Sequence, residues 1–485
     1  MSSQHPDNVN TPFFAKGPIL DGEHEIEEAF YAFTHLDCDE QMWDYEGKEV
    51  DSFVVKKLLT KYAEFMIEKR LGRDKFLTLR VPNPEYETAE AKVLLETLES
   101  IPRSFDAAKI IYKDDLPPIF EVILPMTSNA RSLNRIYNYY KDFVVGKKNQ
   151  CFKNDLSIAE WIGEFKPDQI NVIPLFEEKE QMLNAANITK EYLEDKDLMY
   201  QRVFLARSDP AQNYGLISAV LINKIALQRL HNVSKEIGVK IYPIIGVGSA
   251  PFRGNFKPST VSQVLEEYPF VSTYTVQSSF KYDYPFEQVR EAIKKINEKI
   301  ISSPRPVDEA QCFEIISKYS HAYQQAIIKL SPMINRIAKF IPNRRARKLH
   351  IGLFGYSRAI TDPAEQGKDI YLPRAITFTA SLYSLGLPPE LIGLNALDKD
   401  DLQFIEKYYV NIREDLSDAY KYYNPDNKFV PEALRKSLRD LPFEITPDEE
   451  HKKLTSDILK HIENNSTSDL SQYVLRAANI RKFLG

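Results

Sequence analysis

IYPII-GVGSAPFRGNFK, residues 241–257, joins a short apolar run to a loop in which Gly246, Gly248, Gly254, a serine and a proline surround one arginine, Arg253. The apolar run reads as a buried strand. The glycines let backbone N–H groups approach an anion closely, and Arg253 adds a planar fork of donors matched to phosphate or carboxylate. The stretch therefore reads as an oxyanion or phosphate clamp, or as an ordinary strand-to-helix turn carrying a surface arginine. Its glycine spacing matches no standard nucleotide-binding fingerprint.

The same unit recurs outward from this point: an apolar strand, a polar or Gly/Pro loop, then an amphipathic helix. Strand candidates lie at 76–81, 119–124, 170–175, 202–206, 240–245, 272–277 and 351–354. Helical periodicity covers 50–71, 88–98, 132–144, 214–236, 286–301 and 310–341, and nearly everything from 388 onward. Near-continuous apolar strands alternating with helices predict a parallel sheet covered by helices. The fold class expected is α/β: a parallel (β/α)8 TIM-like barrel with inserted and C-terminal extra helices, an open doubly wound sheet being the second choice. No solenoid repeat and no low-complexity linker divides the chain. It is read as a single large domain, 1–485, with the barrel at approximately 70–395 and a C-terminal helical layer at 396–485.

Bulk composition narrows the class. The 485 residues carry 43% apolar and 27% charged side chains, enough for an ample core. A net charge of −6 argues against non-specific binding to nucleic acid or to an anionic membrane surface. Cys38, Cys151 and Cys312 are far apart and in no metal-ligand spacing, which suits reduced thiols. MSSQHPDNVNTPFF at the start has no basic segment followed by an apolar one, and no long apolar run appears elsewhere. A cytoplasmic location is expected.

Residues able to do chemistry sit just past successive strand candidates. Arg80 closes the first, Arg131 follows the second, Glu177 the third and Asp209 the fourth. Arg253 follows the fifth, Gln277 ends the sixth and Arg358 follows the seventh. In a parallel barrel these loops share one face, where active sites are built. Glu177 and Asp209, from adjacent strands, are oxygen ligands suited to Mg²⁺ or Mn²⁺ with several waters retained; each could equally be a salt bridge to a neighbouring arginine. Arg80, Arg131, Arg253, Arg358 and Arg374 would surround such a metal with positive charge, as a phosphorylated carboxylate requires. His5 lies in a polar segment of the kind that is usually solvated.

Taken together, these motifs resemble the phosphoenolpyruvate carboxylases, in particular their short archaeal-type branch. Gln4-His5-Pro6-Asp7-Asn8 resembles that branch's N-terminal motif, and Arg80-Val-Pro-Asn-Pro84 is similar to the Arg-Asp-Gly-Asn-Pro of the longer enzymes. Pro174-Leu-Phe-Glu177 and Ser208-Asp209 are similar to the two segments that carry the family's metal ligands. Phe252-Arg253-Gly254 aligns with the family's glycine-rich loop, Thr275-Val-Gln277 with Thr-Glu-Gln, Ser357-Arg358 with Ser-Arg-Pro, and Pro373-Arg374-Ala-Ile376 with Leu-Arg-Ala-Ile-Pro. The motifs keep their order from residue 5 to about 395. There are departures: Val247 stands for the loop's first arginine, Ile245 for a histidine and Gln212 for a lysine. Lys257 and Lys281 are the candidates to replace the missing cations. The chain ends Lys482-Phe-Leu-Gly485, where the longer enzymes carry Gln-Asn-Thr-Gly.

The resemblance implies an enzyme that carboxylates phosphoenolpyruvate with bicarbonate, through carboxyphosphate and an enolate, to oxaloacetate and phosphate, refilling the tricarboxylic acid cycle. It implies Mg²⁺ or Mn²⁺ on Glu177 and Asp209, catalytic roles for His5, Arg131, Arg253 and Arg358, and substrate contacts from Arg80, Gly246, Gly248, Gly254, Gln277 and Arg374. It also implies an N-terminal active-site segment at 1–20 and a homotetramer. The alternatives are another metal-dependent barrel lyase acting on a 2-oxo acid and a non-catalytic helical assembly protein.

Overall fold

A computed structural model of the chain describes residues 1–153, 155–346, 358–362, 368–439 and 446–485. Its centre is a curled, seven-stranded, wholly parallel sheet in the sequential order β1 to β7. The strands are β1 Glu40–Asp44, β2 Phe76–Arg80, β3 Glu121–Leu124, β4 Asn171–Phe176, β5 Tyr200–Ala206, β6 Lys240–Gly246 and β7 Thr273–Tyr274. The register runs without a slip through the longest pairing, from Tyr200 opposite Lys240 to Ala206 opposite Gly246.

The alternation of each strand sorts its residues between two cores. Met42, Ile123, Ile173, Leu175, Phe204, Ala206 and Ile244 pack with Met1 inside the curl. Trp43, Val122, Val172, Phe176, Val203, Leu205 and Ile245 face outward and join the larger helix-covered core. Both faces are therefore apolar, which is why β3 to β6 read as continuous hydrophobic runs. The interior is layered. Below the apolar belt Arg202 donates to Glu40 at 2.7 and 2.8 Å and to Glu121 at 2.7 Å. Above it Arg80 donates to Asp44 at 2.8 and 2.6 Å. Truncating Phe204, the largest side chain of the belt, would cost about 3–5 kcal/mol.

Among the described residues the expected closed eight-stranded barrel is not formed: the seven-stranded sheet is open. The gap between β1 and β7 is spanned by the chain's first residues, with Ser2 forming single-residue bridges to both Gln41 and Val276. Ser2 N donates to Glu40 O, Met42 N to Ser2 O at 2.9 Å, Ser3 N to Val276 O at 3.0 Å and Val276 N to Met1 O at 2.8 Å. These contacts are too few to make a strand, because the segment turns away after Ser3 to deliver His5 to one end of the curl.

Two strand expectations also shift. The first strand is Glu40–Asp44, ahead of the strand expected at 76–81. The candidate at 351–354 lies outside the described residues. Arg358 opens β8, Arg358–Asp362, which pairs antiparallel with β9, Lys368–Leu372, as a separate hairpin and not as part of the parallel sheet.

Helices cover the outside, including Ala91–Tyr112, Leu216–Ile237 and Glu309–Ala338. The expected helix at 50–71 is two, Val54–Lys61 and Ala63–Glu68. The C-terminal layer is helical as read, with Lys399–Tyr408, Ile412–Tyr420, Glu449–Glu463 and Leu470–Arg481. It packs against the loop that follows β6, since Asn255 Nδ2 donates to Asp415 Oδ1 at 2.7 Å.

Candidate active site

The carboxyl ends of the strands open into a cavity of about 140 Å³. His5, Arg80, Glu177, Asp209, Gly246, Arg253, Gln277 and Arg374 all line it. Its walls are completed by apolar side chains, among them Leu175, Phe204, Ile341 and Ile376.

His5 reaches the cavity because the segment that carries it is tied down on both sides. Lys281 Nζ donates to Ser3 O at 2.9 Å and Ser2 Oγ at 3.0 Å, and its charge is met by Glu28 at 2.8 Å. Beyond His5, Asp283 accepts from Val9 N and Asn10 N at 2.8 Å each, while Arg344 donates to Asn8 O at 3.1 Å and Val9 O at 2.6 Å. His5 Nδ1 lies 2.9 Å from Ser3 Oγ, so Nε2 is the nitrogen left for a ligand in the cavity. Burial, with the nearby Arg80 and Arg253 charges, holds the imidazole well below its usual range. It is neutral at pH 7 and able to accept a proton.

Arg253 is buried, and the protein engages its Nε, both donors of Nη1 and one of Nη2. Nε donates to Ser208 Oγ at 3.1 Å, Nη1 to Asp7 Oδ2 at 3.2 Å and Gly485 O at 2.7 Å, and Nη2 to Gln277 Oε1 at 2.5 Å. Burial outweighs the attraction of the pair, pushing the Asp7 carboxyl up and the Arg253 guanidinium down. The loop's glycines make this packing possible. A Cβ on Gly248 would stand 2.9 Å from both the Arg253 guanidinium carbon and Gln277 Oε1. Gly254 has φ +119°, and a Cβ there would meet Val247 Cγ1 at 2.7 Å. Gly248 and Gly254 thus shape the loop from behind and do not line the cavity. Val247 is buried under Gly254, an apolar position within the loop's own packing.

On the opposite wall Arg80 forks onto Asp44 and lies 3.1 Å from Glu46. Burial alone would raise Asp44, but Arg80 holds it well below the usual carboxylate range. Glu46 is pushed up by burial, with the Asp44 charge adding to the rise. Arg80 is therefore balanced mainly by one carboxylate.

Glu177 follows β4 directly, and its Oε2 accepts from Met126 N at 2.7 Å. Asp209 stands in the first turn of helix Ser208–Tyr214, just past β5. Among the described residues no three His, Cys, Asp or Glu side chains cluster as a complete metal cage. Two hard carboxylate donors beside arginines fit a divalent cation that keeps water and ligand oxygens in its remaining positions.

Several expected residues are not brought in. Arg131 is exposed, the second residue of helix Ala130–Asn138. Its neighbours Ala130, Ser132 and Leu133 take the buried face, which turns its guanidinium outward. The side chain of Arg358 lies outside the described residues. Lys257 pairs with Asp418 at 2.9 Å and Lys281 with Glu28, so neither replaces the cations missing at Val247 and Gln212. Gln212 instead donates to Pro373 O at 2.7 Å, next to Arg374.

The sequence reading missed Asp7, Arg207, Arg344 and Arg345. Arg207, Arg344 and Arg345 line the cavity, and Asp7 grips Arg253. Arg345 is held by Glu28 at 2.6 Å and Ser278 Oγ at 3.0 Å. The paired arginines after Ile341-Pro-Asn, at the end of a long helix, were the available signal.

A family model described as phosphoenolpyruvate carboxylase matches residues 1–485. The chain is 55% identical over 485 residues to the phosphoenolpyruvate carboxylase of Methanothermobacter thermautotrophicus, covering 100% of this chain and 99% of that relative. It is 54% identical to that of Methanospirillum hungatei and 49% identical to that of Pyrococcus furiosus, again over 100% of this chain and 99% of each relative.

Proposed function

The chain belongs to the phosphoenolpyruvate carboxylase family and is a carboxy-lyase, and we propose that it joins bicarbonate to phosphoenolpyruvate through the residues lining the cavity, giving oxaloacetate and phosphate. The observation that carries the residue assignment is that Glu177, Asp209, His5 and Arg253, from four separate segments, line one cavity.

Mg²⁺ or Mn²⁺, held by Glu177 and Asp209, would supply Lewis-acid stabilisation of negative charge on phosphate and enol oxygens. Arg80, Arg253 and Arg374 would neutralise the phosphoryl and carboxylate groups and align bicarbonate with phosphorus. Attack by a bicarbonate oxygen on phosphorus breaks the bond to the enol oxygen, forming carboxyphosphate and the enolate of pyruvate. The neutral His5 imidazole accepts the carboxyphosphate proton. Carboxyphosphate then splits to CO₂ and phosphate, and the enolate carbon attacks CO₂ to close the new C–C bond. The apolar wall of Leu175, Phe204 and Ile376 would keep water from protonating the enolate to pyruvate. Gln277 and the glycine loop would hold Arg253 for this work. Arg131 has no part in this scheme, and Arg358 is kept as a further phosphate contact from the sequence alone.

We place the enzyme in the cytoplasm, as a single 1–485 domain acting as a homotetramer that replenishes oxaloacetate. In support, no helix among the described residues is long and apolar enough to cross a membrane. The exposed Phe143, Trp161 and Ile162 offer apolar surface for contact between subunits. Glu177→Ala and Asp209→Ala test the ligand assignment. Both should abolish metal-dependent oxaloacetate formation from phosphoenolpyruvate and bicarbonate, together with the rise in melting temperature that Mn²⁺ alone gives the parent. Retention of either by either variant would refute it.

A further inference from the structure

The loop that carries Arg253 is gripped from behind, on both sides of that residue, by buried groups with no place in the chemistry above. On one side, the Phe252 N–H donates to Glu390 Oε1 at 2.5 Å, and the same oxygen accepts from Tyr383 Oη at 2.7 Å. Phe252 O accepts from Arg207 Nη1 at 3.3 Å. On the other side, Asn255 Nδ2 donates to Asp415 Oδ1 at 2.7 Å, and Asp415 Oδ2 accepts from Tyr409 Oη. Glu390 is fully buried and Asp415 nearly so. Neither lines the cavity, and both come from the C-terminal part of the chain. The Arg253 side chain turns the opposite way, to Asp7, Ser208 and Gln277.

We infer that Glu390 and Asp415 are positioning residues for Arg253: the hydrogen bonds their carboxyls accept from Phe252 N and Asn255 Nδ2 fix the chain on either side of it, so that its guanidinium meets the transferring phosphoryl group without reorganisation. Three observations support this. The loop closes on itself, Gly248 N donating to Arg253 O at 2.8 Å and Asn255 N to Ala250 O at 3.0 Å, with Gly254 at a left-handed φ of +119° and Asn255 at +53°, so the two side-chain anchors set where the whole turn sits. Burying a carboxyl is costly, and Glu390 uses one oxygen for both Phe252 N and Tyr383 Oη while the other has no partner, so the burial is concentrated on holding the loop. Burial also pushes both carboxyls up to about 7, as expected of acceptors kept for geometry and not for charge. A misplacement of about 1 Å at a group that must meet a transition state costs up to roughly 100-fold in rate.

This inference rests on the reading of Arg253 as a substrate-binding group, and a double-mutant cycle separates the two. Arg253→Ala tests the reading itself: it should lower kcat/KM by more than about 100-fold. Glu390→Ala should lower kcat by about 10- to 100-fold, with the melting shift given by Mn²⁺ alone unchanged. Glu390→Gln, which keeps an oxygen facing Phe252 N and Tyr383, should stay within about threefold of the parent. In an Arg253→Lys background, Glu390→Ala should change kcat by less than about twofold, because the guanidinium it aims is gone. If Arg253→Ala is active, the reading of Arg253 falls. If Arg253→Ala is inactive but Glu390→Ala matches the parent, or costs the same in both backgrounds, the positioning inference falls. Should Glu390→Ala not fold, Asn255→Gly carries the same expectations, since it keeps the left-handed backbone and removes the side-chain links to Asp415 and, at 3.3 Å, Asp418.

Discussion

Replacing Glu390 by Gln should make the protein more stable at pH 8 than at pH 5, relative to the parent. Glu390 is fully buried, and one of its oxygens has no hydrogen-bond partner. Burial raises its carboxyl from the usual 4.5 to about 7. Because the folded pKa is the higher one, the folded protein holds a proton that the unfolded chain has already released between those values. Its stability therefore falls as pH rises from about 4.5 to about 7, and the full loss is present above that. At about 1.4 kcal/mol per decade, the loss is about 3 kcal/mol. Glutamine cannot ionise, keeps the acceptor for Phe252 N and Tyr383 Oη, and escapes the loss. With an unfolding entropy of roughly 2.1 cal/mol/K per residue, a chain of 485 residues gains about 3 °C in melting temperature. The assay is denaturant and thermal unfolding of parent and variant at pH 5 and pH 8. The variant-minus-parent stability should rise by about 3 kcal/mol between the two. A difference that stays constant, or shrinks as pH rises, would refute the reasoning.

Three further perturbations follow from the site. Asp44→Asn leaves the buried Arg80 without the carboxylate it forks onto, and should cost about 3–5 kcal/mol of stability in equilibrium unfolding; a cost under about 1 kcal/mol would show that Glu46 ionises to take over. Because burial and the Arg80 and Arg253 charges keep His5 neutral, the acid limb of kcat/KM should lie below the ordinary histidine value near 6.5. His5→Asn should abolish carboxylation, and a pH profile with an acid limb above 7 would count against His5 as the proton acceptor. Gly254→Ala places a methyl on a left-handed backbone 2.7 Å from Val247, and should destabilise by about 1–3 kcal/mol and lower kcat; wild-type turnover would mean that the loop adjusts without disturbing Arg253.

The strands that were legible from sequence were those whose two faces are both buried, such as β4 and β6, where Ile173 and Ile244 face inward and Val172 and Ile245 outward. β1 was not, because Glu40, Gln41 and Asp44 make it look polar. Glu40 and Asp44 are neutralised inside the curl by Arg202 and Arg80, partners that no local pattern reveals. An eighth strand was not placed from sequence, and among the described residues Ser2 spans the opening with isolated bridges. For the site, position past a strand end went with a place in the cavity lining for Arg80, Glu177, Asp209 and Arg253. Arg131, which like Asp209 is the second residue of a helix but stands further past its strand, is exposed and does not line the cavity. Asp7 and Arg344 escaped notice because each acts through a partner from the other end of the chain.

The bridges made by Ser2 impose an order on events during synthesis. Residues 1–3 can meet β1 early, through Glu40 and Met42, but their pairing with Val276 must wait until the chain past β7 has been made. Long-range pairings of this kind form late, since loop closure precedes any contact that rewards it. His5 travels with that segment. A nascent or partly folded chain can thus assemble the carboxylates and arginines of the strand ends and still lack its proton acceptor. Turnover would then wait for that segment to close on Val276.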